Sequence, residues 1–541
     1  MTVRVRQGLV HARAMSFSWA AWPAIILAAV AAAIGGATVG SDSASGRAGG
    51  NPAARPARFL PLPPASRPNI VFVLTDDLSM DLLPYMPQVR ALAAHGMTFS
   101  NYFVSDSLCC PSRSSIFTGL FPHDSGVFTN SGPNGGIGAF WSHGDEQKTF
   151  NLALQRSGYE TAMMGKYLNG YLEGPNRDPL PGRYVPVGWN EWDVAGWGYP
   201  EYDYKMNIDG TVHYFGHRPR DYLTSVIQRR GVRFIDHAAG TGRPFFLELA
   251  TFTPHTPYVP APRDRHLFAG LTAPRPPSFD VLPTHPPIWL SGHRPLRPRQ
   301  LARINRVFRR RVQDVQSVDR MIAAIEQALR STGTYRNTYI VFSSDNGLHT
   351  GEYRLMPGKL TAFDTDIHVP LVVAGPGVPA GTTSDAMTEN VDLAETFAQI
   401  GGTALPGDGQ SLLGLMHGAT PLDWRNAVLV EHRGPATSLL DPDAQTRASG
   451  NPTSYEALRT RQYLYVEYKD GERELYDLAT DPWELHNIAS AASPTLLASL
   501  HARLLALEAC HGATCWTASH LFPLTRPRVF VTRQKRKANH G

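Results

Sequence analysis

Four short apolar runs punctuate the chain: NIVFVLT at 69–75, PFFLELATF at 244–252, TYIVFSS at 338–344 and VPLVVAG at 369–375. Each is mostly hydrophobic rather than alternating, the pattern of a parallel strand covered on both faces. Helical periodicity lies between them. MPQVRALAAHG at 86–96 gathers Val89, Leu92 and Ala93 on one face and stops at Gly96. The segment 302–333 is long and amphipathic and ends at Gly333. Strands alternating with helices predict an α/β domain, a mostly parallel central sheet covered by helices. Past about residue 420 the texture changes. YEALRTRQYLYVEYKDGERELYDL at 455–478 predicts antiparallel strands turning at Asp470-Gly471, and SPTLLASLHARLLALEA at 493–509 predicts one helix. A smaller C-terminal α+β domain with a short antiparallel sheet is expected there.

The domain limits follow from composition. Arg4, Arg6 and Arg13 precede the apolar run 19–39, so residues 1–40 read as a signal peptide or N-terminal anchor. The chain is therefore expected to be exported, secreted or bound to the cell envelope, with membrane contact only if that segment stays uncleaved. Residues 41–67 are a Pro/Ser/Gly/Ala linker. The main domain is then 68–420, the smaller one 421–520, and 521–541 a basic, frayed tail. The 541 residues, 42% hydrophobic and 18% charged, can bury a large core. The net charge of +5, without a long basic helix or stacking array, argues against a nucleic-acid partner. It leaves a mild pull on anionic substrates.

There are four cysteines. Cys510 and Cys515, in CHGATC, read as a short disulfide loop or as two unpaired thiols. Cys109 and Cys110 are adjacent. A disulfide between neighbours is strained, and a zinc site would need further ligands at the right spacing. Neither structural reading explains the pair.

Polar residues cluster where two apolar runs end. NIVFVLT leads into Asp76-Asp77, and TYIVFSS into Asp345-Asn346-Gly347. Open α/β sheets bind ligands beyond the carboxyl ends of their strands. One such pair alone reads equally well as a cap or a turn. Two pairs, all oxygen donors, predict a hard divalent cation, Ca2+ or else Mg2+. His255 follows another run in PHTPY; a lone histidine between prolines is also an ordinary structural residue. Lys166 in GKYLNGY and Lys359 in PGKLTAFD, each solvated if taken alone, would with Arg113 clamp a tetrahedral oxyanion.

Cys109-Cys110-Pro111-Ser112-Arg113, followed by SSIFTG, resembles the sulfatase signature Cys-x-Pro-Ser-Arg, with Thr118-Gly119 closing it. TDD, GKYLNGY, PHTPY, SDNG, GK and ELYDLATDPWELHN stand in that family's order, so the resemblance covers about 67–516. CCPSR, GKYLNGY and CHGATC look most like the N-acetylglucosamine-6-sulfatase and extracellular glucosamine-sulfatase branch.

The resemblance implies an alkaline-phosphatase-like fold and a formylglycine (3-oxoalanine) made from Cys109 by a maturation enzyme that reads Pro111 and Arg113. One hydroxyl of the hydrated aldehyde would attack sulfur and expel the alcohol. The other would lose its proton as the carbonyl re-forms and sulfate leaves, an exit that a serine lacks. Asp76, Asp77, Asp345 and Asn346 would hold Ca2+ together with residue 109. Arg113 would steady the nucleophile, Lys166 and Lys359 would neutralise the sulfate, and Lys359 or His255 would protonate the leaving oxygen. Many sulfatases place a histidine two residues after the first lysine. Leu168 stands there instead, with Asn169 next. Asn169, His123 and His349 are thus candidates for substrate contacts.

The expected substrate is a sulfated small molecule or glycan such as N-acetylglucosamine 6-sulfate. Phosphonate or phosphate ester hydrolysis, and a non-catalytic glycan-binding role, are the alternatives. Specificity is expected from loops 174–220, rich in Trp and Tyr, and 256–300, rich in Pro.

Overall fold

The computed structural model describes residues 67–173, 180, 182–436, 441, 443–520 and 529–531. The predicted signal or anchor, almost all of the linker and most of the basic tail lie outside the described residues. Among the described residues, no helix is long and apolar enough to cross a membrane.

The apolar runs form the middle of one large sheet. β1 (Asn69–Thr75) is flanked by β7 (Phe245–Ala250) and β8 (Thr338–Ser344), both parallel to it. β3 (Glu160–Gly165) pairs in parallel with β7, and β4 (Glu191–Gly196) with β3. The central block β8-β1-β7-β3-β4 is thus wholly parallel. Its outer strands are β2 (Met97–Phe103), β5 (Tyr204–Ile208), β6 (Thr211–Phe215), β9 (Leu371–Ala374), β10 (Thr382–Glu389) and β15 (Val529–Val531). Together they make an eleven-stranded sheet.

Every residue of β1 is buried because helices cover both faces. Ile70, Phe72 and Leu74 face a core shared with the helices Cys109–Thr118, Phe150–Arg156 and Asp392–Ile400. Val71 and Val73 face a second core shared with Pro87–His95, Leu223–Thr241 and Pro298–Ser331.

Three expectations change. The 369–375 run does form a buried strand, β9, but it runs antiparallel to both β8 and β2. Burial on both faces yields the same apolar run whichever way the strand points. The 174–220 segment is more than a loop: it supplies β4, β5 and β6. Most of its aromatics pack inward, with Trp189, Trp192, Tyr199, Tyr202 and Tyr204 buried, while Trp197 is 45% exposed. In the basic tail, 529–531 is not frayed but pairs with β10 as an antiparallel edge strand.

The C-terminal residues build a four-stranded antiparallel sheet from β11 (Ala427–His432), β12 (Tyr455–Thr460), β13 (Tyr463–Tyr468) and β14 (Arg473–Asp477). Asp470-Gly471 sits in the β13–β14 turn, where Gly471 has φ +93°. One face of this sheet, with Val428, Val430, Ala457 and Val466, joins the core of the large sheet. The other, with Leu429, Leu458 and Leu475, packs on the Pro494–Glu508 helix and the Cys510–Cys515 disulfide. His123 stitches the two parts together. Its Nδ1 lies 2.8 Å from Glu431 of β11, and its Nε2 is 2.9 Å from the Cys510 carbonyl.

Two outcomes test this packing. Gly165 ends β3 with φ +106°, and a Cβ there would stand 1.9 Å from the Ala250 carbonyl oxygen. Gly165→Ala should lower stability by about 3 kcal/mol or more, read as a fall in Tm; an unchanged Tm would contradict the packing. For His123, burial favours the neutral ring, but the hydrogen bond and charge of Glu431 outweigh it and raise the pKa to about 9. A raised folded pKa stabilises fully below the unfolded value of 6.5 and is lost as pH rises through about 9. His123→Ala should therefore cost on the order of 1–3 kcal/mol near pH 6, measured by urea melts, and that electrostatic part should vanish above about pH 10.

Candidate active site

Strand register brings the polar residues to one level. Thr75 pairs with Ser344, and Gly165 with Ala250. Asp76, Asp345 and Lys166 therefore leave strands of one parallel block at the same carboxyl edge, and the end of β7, between β1 and β3, turns into the loop carrying His255. Asp77 takes the left-handed region, φ 63°, which its backbone N–H supports by donating to Asp345 Oδ1 at 3.1 Å. Cys109 opens the Cys109–Thr118 helix facing this edge, at the positive end of its dipole. All ten residues of that helix are buried, so the signature is a core element and not a surface loop.

The side chains converge. Cys109 Sγ lies 3.1 Å from Asp76 Oδ1 and 3.9 Å from Asp77 Oδ1. Lys359 Nζ donates to Asp77 Oδ1 at 2.6 Å and to Cys109 Sγ at 2.9 Å. Lys166 Nζ donates to Asp76 Oδ2 at 2.6 Å. Arg113 Nε donates to Asp345 Oδ2 at 2.8 Å, and its Nη1 to the Lys166 carbonyl at 3.0 Å. Asn346 Nδ2 donates to Asp77 Oδ1 at 2.7 Å. His255 Nε2 lies 3.7 Å from Asp77 Oδ2. All of these groups are buried.

Inside this cluster, two buried atoms of opposite polarity have no hydrogen-bond partner among the described residues: Asn346 Oδ1, an acceptor, and Arg113 Nη2, a donor. The amide orientation is set by Nδ2, which donates to both Asp77 and the Gly347 carbonyl. Buried polar groups are normally satisfied, so these two orphans inside the cluster are candidates for ligand contacts. Asn346 Oδ1 with the carboxylates of Asp76, Asp77 and Asp345 makes an all-oxygen set that fits a hard divalent cation. Arg113 Nη2, 3.9 Å from Asp76, suits an anion beside it.

Electrostatics follow from burial and pairing. Burial alone would raise Asp345, but Arg113, Lys166 and Lys359 hold it at about 2. Burial pushes Asp76 up to about 6 against the pull of Lys166. Burial, then the Asp345, Asp443 and Asp76 carboxylates, drive the Cys109 thiol well above its usual range. The thiol is therefore protonated at neutral pH and a poor nucleophile as it stands. Burial would lower His255, but Asp443, Asp77 and Asp76 raise it to about 9.

Sequence reasoning missed Asp443. Its Oδ1 lies 2.6 Å from His255 Nε2 and 2.8 Å from Lys359 Nζ, and its Oδ2 accepts from Asn130 Nδ2 at 2.6 Å. Asn130 Oδ1 in turn accepts from the Cys110 backbone N–H at 3.0 Å. Asp443 comes from an irregular DPDAQ stretch with no periodicity to draw attention to it. Tyr199 was missed too: its ring lies 4.6 Å from that of His255, and Lys166 Nζ sits 5.1 Å from its centroid.

Of the three expected substrate contacts, only Asn169 borders the cluster. Its Nδ2 donates to Tyr199 Oη at 3.2 Å, and its Oδ1 is buried without a partner. His123 is committed to Glu431 and Cys510, and neither belongs to the cluster. His349 Nδ1 lies 3.0 Å from Asp366, and its Nε2 is 3.0 Å from the Ser449 carbonyl. Both histidines thus brace loops instead of facing Cys109.

The sulfatase family model matches residues 68–403, and the model for the C-terminal part of N-sulphoglucosamine sulphohydrolase matches 351–509. The N-acetylglucosamine-6-sulfatase of Homo sapiens is 35% identical over 497 residues, 86% of this chain and 89% of that protein. The extracellular sulfatase SULF-1 homolog of Drosophila melanogaster is 34% identical over 385 residues, 68% of this chain and 33% of that protein. Among solved structures, a complex with D-glucosamine-2-N,6-O-disulfate as substrate superposes with a TM-score of 0.69 at 22% identity, covering 84% of this chain and 99% of that one. The phosphonate monoester hydrolase of Agrobacterium radiobacter gives 0.61 at 21%, covering 82% and 96%. With its family model matched over more than half its length and its signature cysteine seated at the sheet edge, the chain belongs to the sulfatase family.

Proposed function

We propose that this sulfatase hydrolyses a sulfate monoester on a sulfated amino sugar, with N-acetylglucosamine 6-sulfate as the expected substrate. It would do so through a formylglycine made from Cys109 by a maturation enzyme, beside a bound Ca2+. The observation that carries the reading is the pair of buried orphans, Asn346 Oδ1 and Arg113 Nη2. One is an unanswered acceptor and the other an unanswered donor, the polarities that a cation and an anion beside residue 109 would satisfy. Asp76, Asp77, Asp345 and Asn346 would hold the cation, with Mg2+ the second choice. Bound there, it supplies Lewis acidity toward a sulfate oxygen.

The chain's own residues account for the rest. Cys109 Sγ marks where the oxygen of a converted residue would sit, in reach of Asp76 and Lys359. Arg113, Lys166 and Lys359 place three fixed cations around that point and balance the negative charge of the ester. Lys359, which reaches Cys109 Sγ, or His255, once its Nε2–H turns from Asp443, would give a proton to the leaving alcohol oxygen. The high pKa of the unmodified thiol also argues that it is not itself the working nucleophile. The amino-sugar substrate rests on the 35% identical N-acetylglucosamine-6-sulfatase. Export rests on the apolar N-terminal segment and the extracellular relative.

A phosphonate ester hydrolase is the second reading, favoured by its similar fold and by His255, whose ring joins Asp76, Asp77 and Cys109 in one potential ligand cluster. The protonated state of His255 disfavours it. Nε2 faces Asp443, and Nδ1 lies 2.7 Å from the Thr256 carbonyl, so neither nitrogen offers a lone pair.

The deciding experiment combines two measurements on protein from its own host. The tryptic fragment containing residue 109 should differ from the encoded one by loss of hydrogen sulfide and gain of one oxygen. N-acetylglucosamine 6-sulfate should turn over faster than an aryl phosphate. An active enzyme with an intact cysteine, or a faster phosphate ester, would overturn the reading. In addition, Asp443→Asn should lower kcat/KM for the sulfate by about 10²-fold or more, with an unchanged circular dichroism spectrum.

A further inference from the structure

We infer that the Arg294–Arg310 surface is an exosite for the polyanionic chain of a sulfated oligosaccharide, separate from the catalytic cluster. The inference rests on the sulfated-sugar reading and extends it from a single residue to a chain.

The charge distribution is the first observation. Between Arg263 and Arg310 the sequence carries ten arginines, no lysine or glutamate, and only Asp264 and Asp280 as acids, while the whole chain nets +5. Both aspartates are already engaged. Asp264 pairs with Arg320 at 2.8 Å, and Asp280 accepts from the Leu296 backbone N–H at 2.7 Å beside Arg354.

The shape is the second. A cleft of about 970 Å³ is lined by Arg294, Arg297, Arg299, Arg354 and Arg447. Arg294, Arg297, Arg299 and Arg447 are exposed, and among the described residues no carboxylate lies within ion-pair distance of them. From the cleft the charge continues along the Pro298–Ser331 helix. Arg299, Arg303, Arg306 and Arg310 recur at helical spacing on one exposed stripe. That stripe adds about 16 Å of track, at 1.5 Å per residue, longer than one sugar.

The third is position. Ala448, in the cleft wall, accepts from the Met356 backbone N–H at 2.7 Å, and a Cβ on Gly358 would stand 2.4 Å from the Ser449 carbonyl. The turn that floors the cleft is thus packed on the segment leading to Lys359. A chain lying in the cleft would run alongside the catalytic loop. Arginine forks suit sulfate groups. Nucleic acid is disfavoured, because the only phenyl or indole ring in 292–310 is Phe308, which is buried and cannot stack on a base.

The test compares Arg294→Glu/Arg297→Glu/Arg299→Glu with a control carrying the same charge change elsewhere, Arg156→Glu/Arg218→Glu/Arg336→Glu. Binding of a fluorescent heparin-derived hexasaccharide is measured on the Cys109→Ala background, where turnover plays no part. The cleft variant should lose about tenfold or more in affinity and the control less than about twofold, with the wild-type affinity falling steeply as salt rises. In the active enzyme the cleft variant should raise KM for the hexasaccharide at constant kcat and leave N-acetylglucosamine 6-sulfate hydrolysis unchanged. Equal losses in both variants, unchanged affinity in the cleft variant, or equally tight cleft-dependent binding of single-stranded DNA or phosphatidylserine vesicles would overturn the proposal. Should the triple variant misfold, Arg447→Gln and Arg299→Gln carry the same comparison with smaller expected losses. Hexasaccharide binding through the cleft in a chain inert toward every sulfate ester would defeat the catalytic reading alone. An active enzyme whose binding ignores the cleft would defeat only the exosite.

Discussion

The cost of burying charge governs this molecule. Asp76, Asp77, Asp345 and Asp443 are all within a few per cent of complete burial, gathered at the carboxyl end of a sheet whose body is mostly apolar. Isolated carboxylates there would be prohibitive. They persist because Arg113, Lys166, Lys359 and a protonated His255 stand against them at hydrogen-bond or ion-pair distance. Compensation is uneven. Asp345 is held near 2 while Asp76 rises to about 6, so the site is not a set of independent salt bridges but one shared charge cluster. Two polar atoms inside it are still unsatisfied, and that residual imbalance is what suits the cluster to ligands.

Such a cluster needs a rigid frame, and the frame is the parallel block β8-β1-β7-β3. Helices on both faces fix each strand in register, so Asp345, Asp76 and Lys166 emerge on one level. The helix starting at Cys109 is buried from end to end, which leaves its first residue little freedom. The C-terminal part does more than decorate this frame. Its small sheet shares the main core, and the segment preceding β12 delivers Asp443 between Lys359 and His255. The site is complete only when both sheets are packed together.

A near-neutral total conceals strong local separation of charge. Balanced charges are concentrated in the catalytic cluster, whereas the 263–310 surface collects arginines with few acids to answer them. Buried pairs orient and tune chemistry at short range; exposed cations of one sign act at longer range and are screened by salt. The two regions meet at the turn 447–449, which packs on the Lys359 segment.

Much of this was legible in the sequence because it is local. The runs 69–75 and 338–344 become strands over those same residues, the helices near 87, 298 and 494 appear within a few residues of their periodic patterns, and Asp76-Asp77 and Asp345-Asn346 do meet beside Cys109. The signature and its companion motifs carried the family. What the sequence left open depends on partners distant in the chain. A strand buried on both faces has no direction in its composition, so β9 could not be known to run antiparallel. A histidine shows neither ring nitrogen's partner, so His123 and His349 were indistinguishable from His255 until Glu431, Asp366 and Asp443 came beside them. Periodicity and motif spacing are properties of neighbouring residues, whereas Asp443 reaches His255 across 188 positions. Only packing two sheets on one core makes that contact.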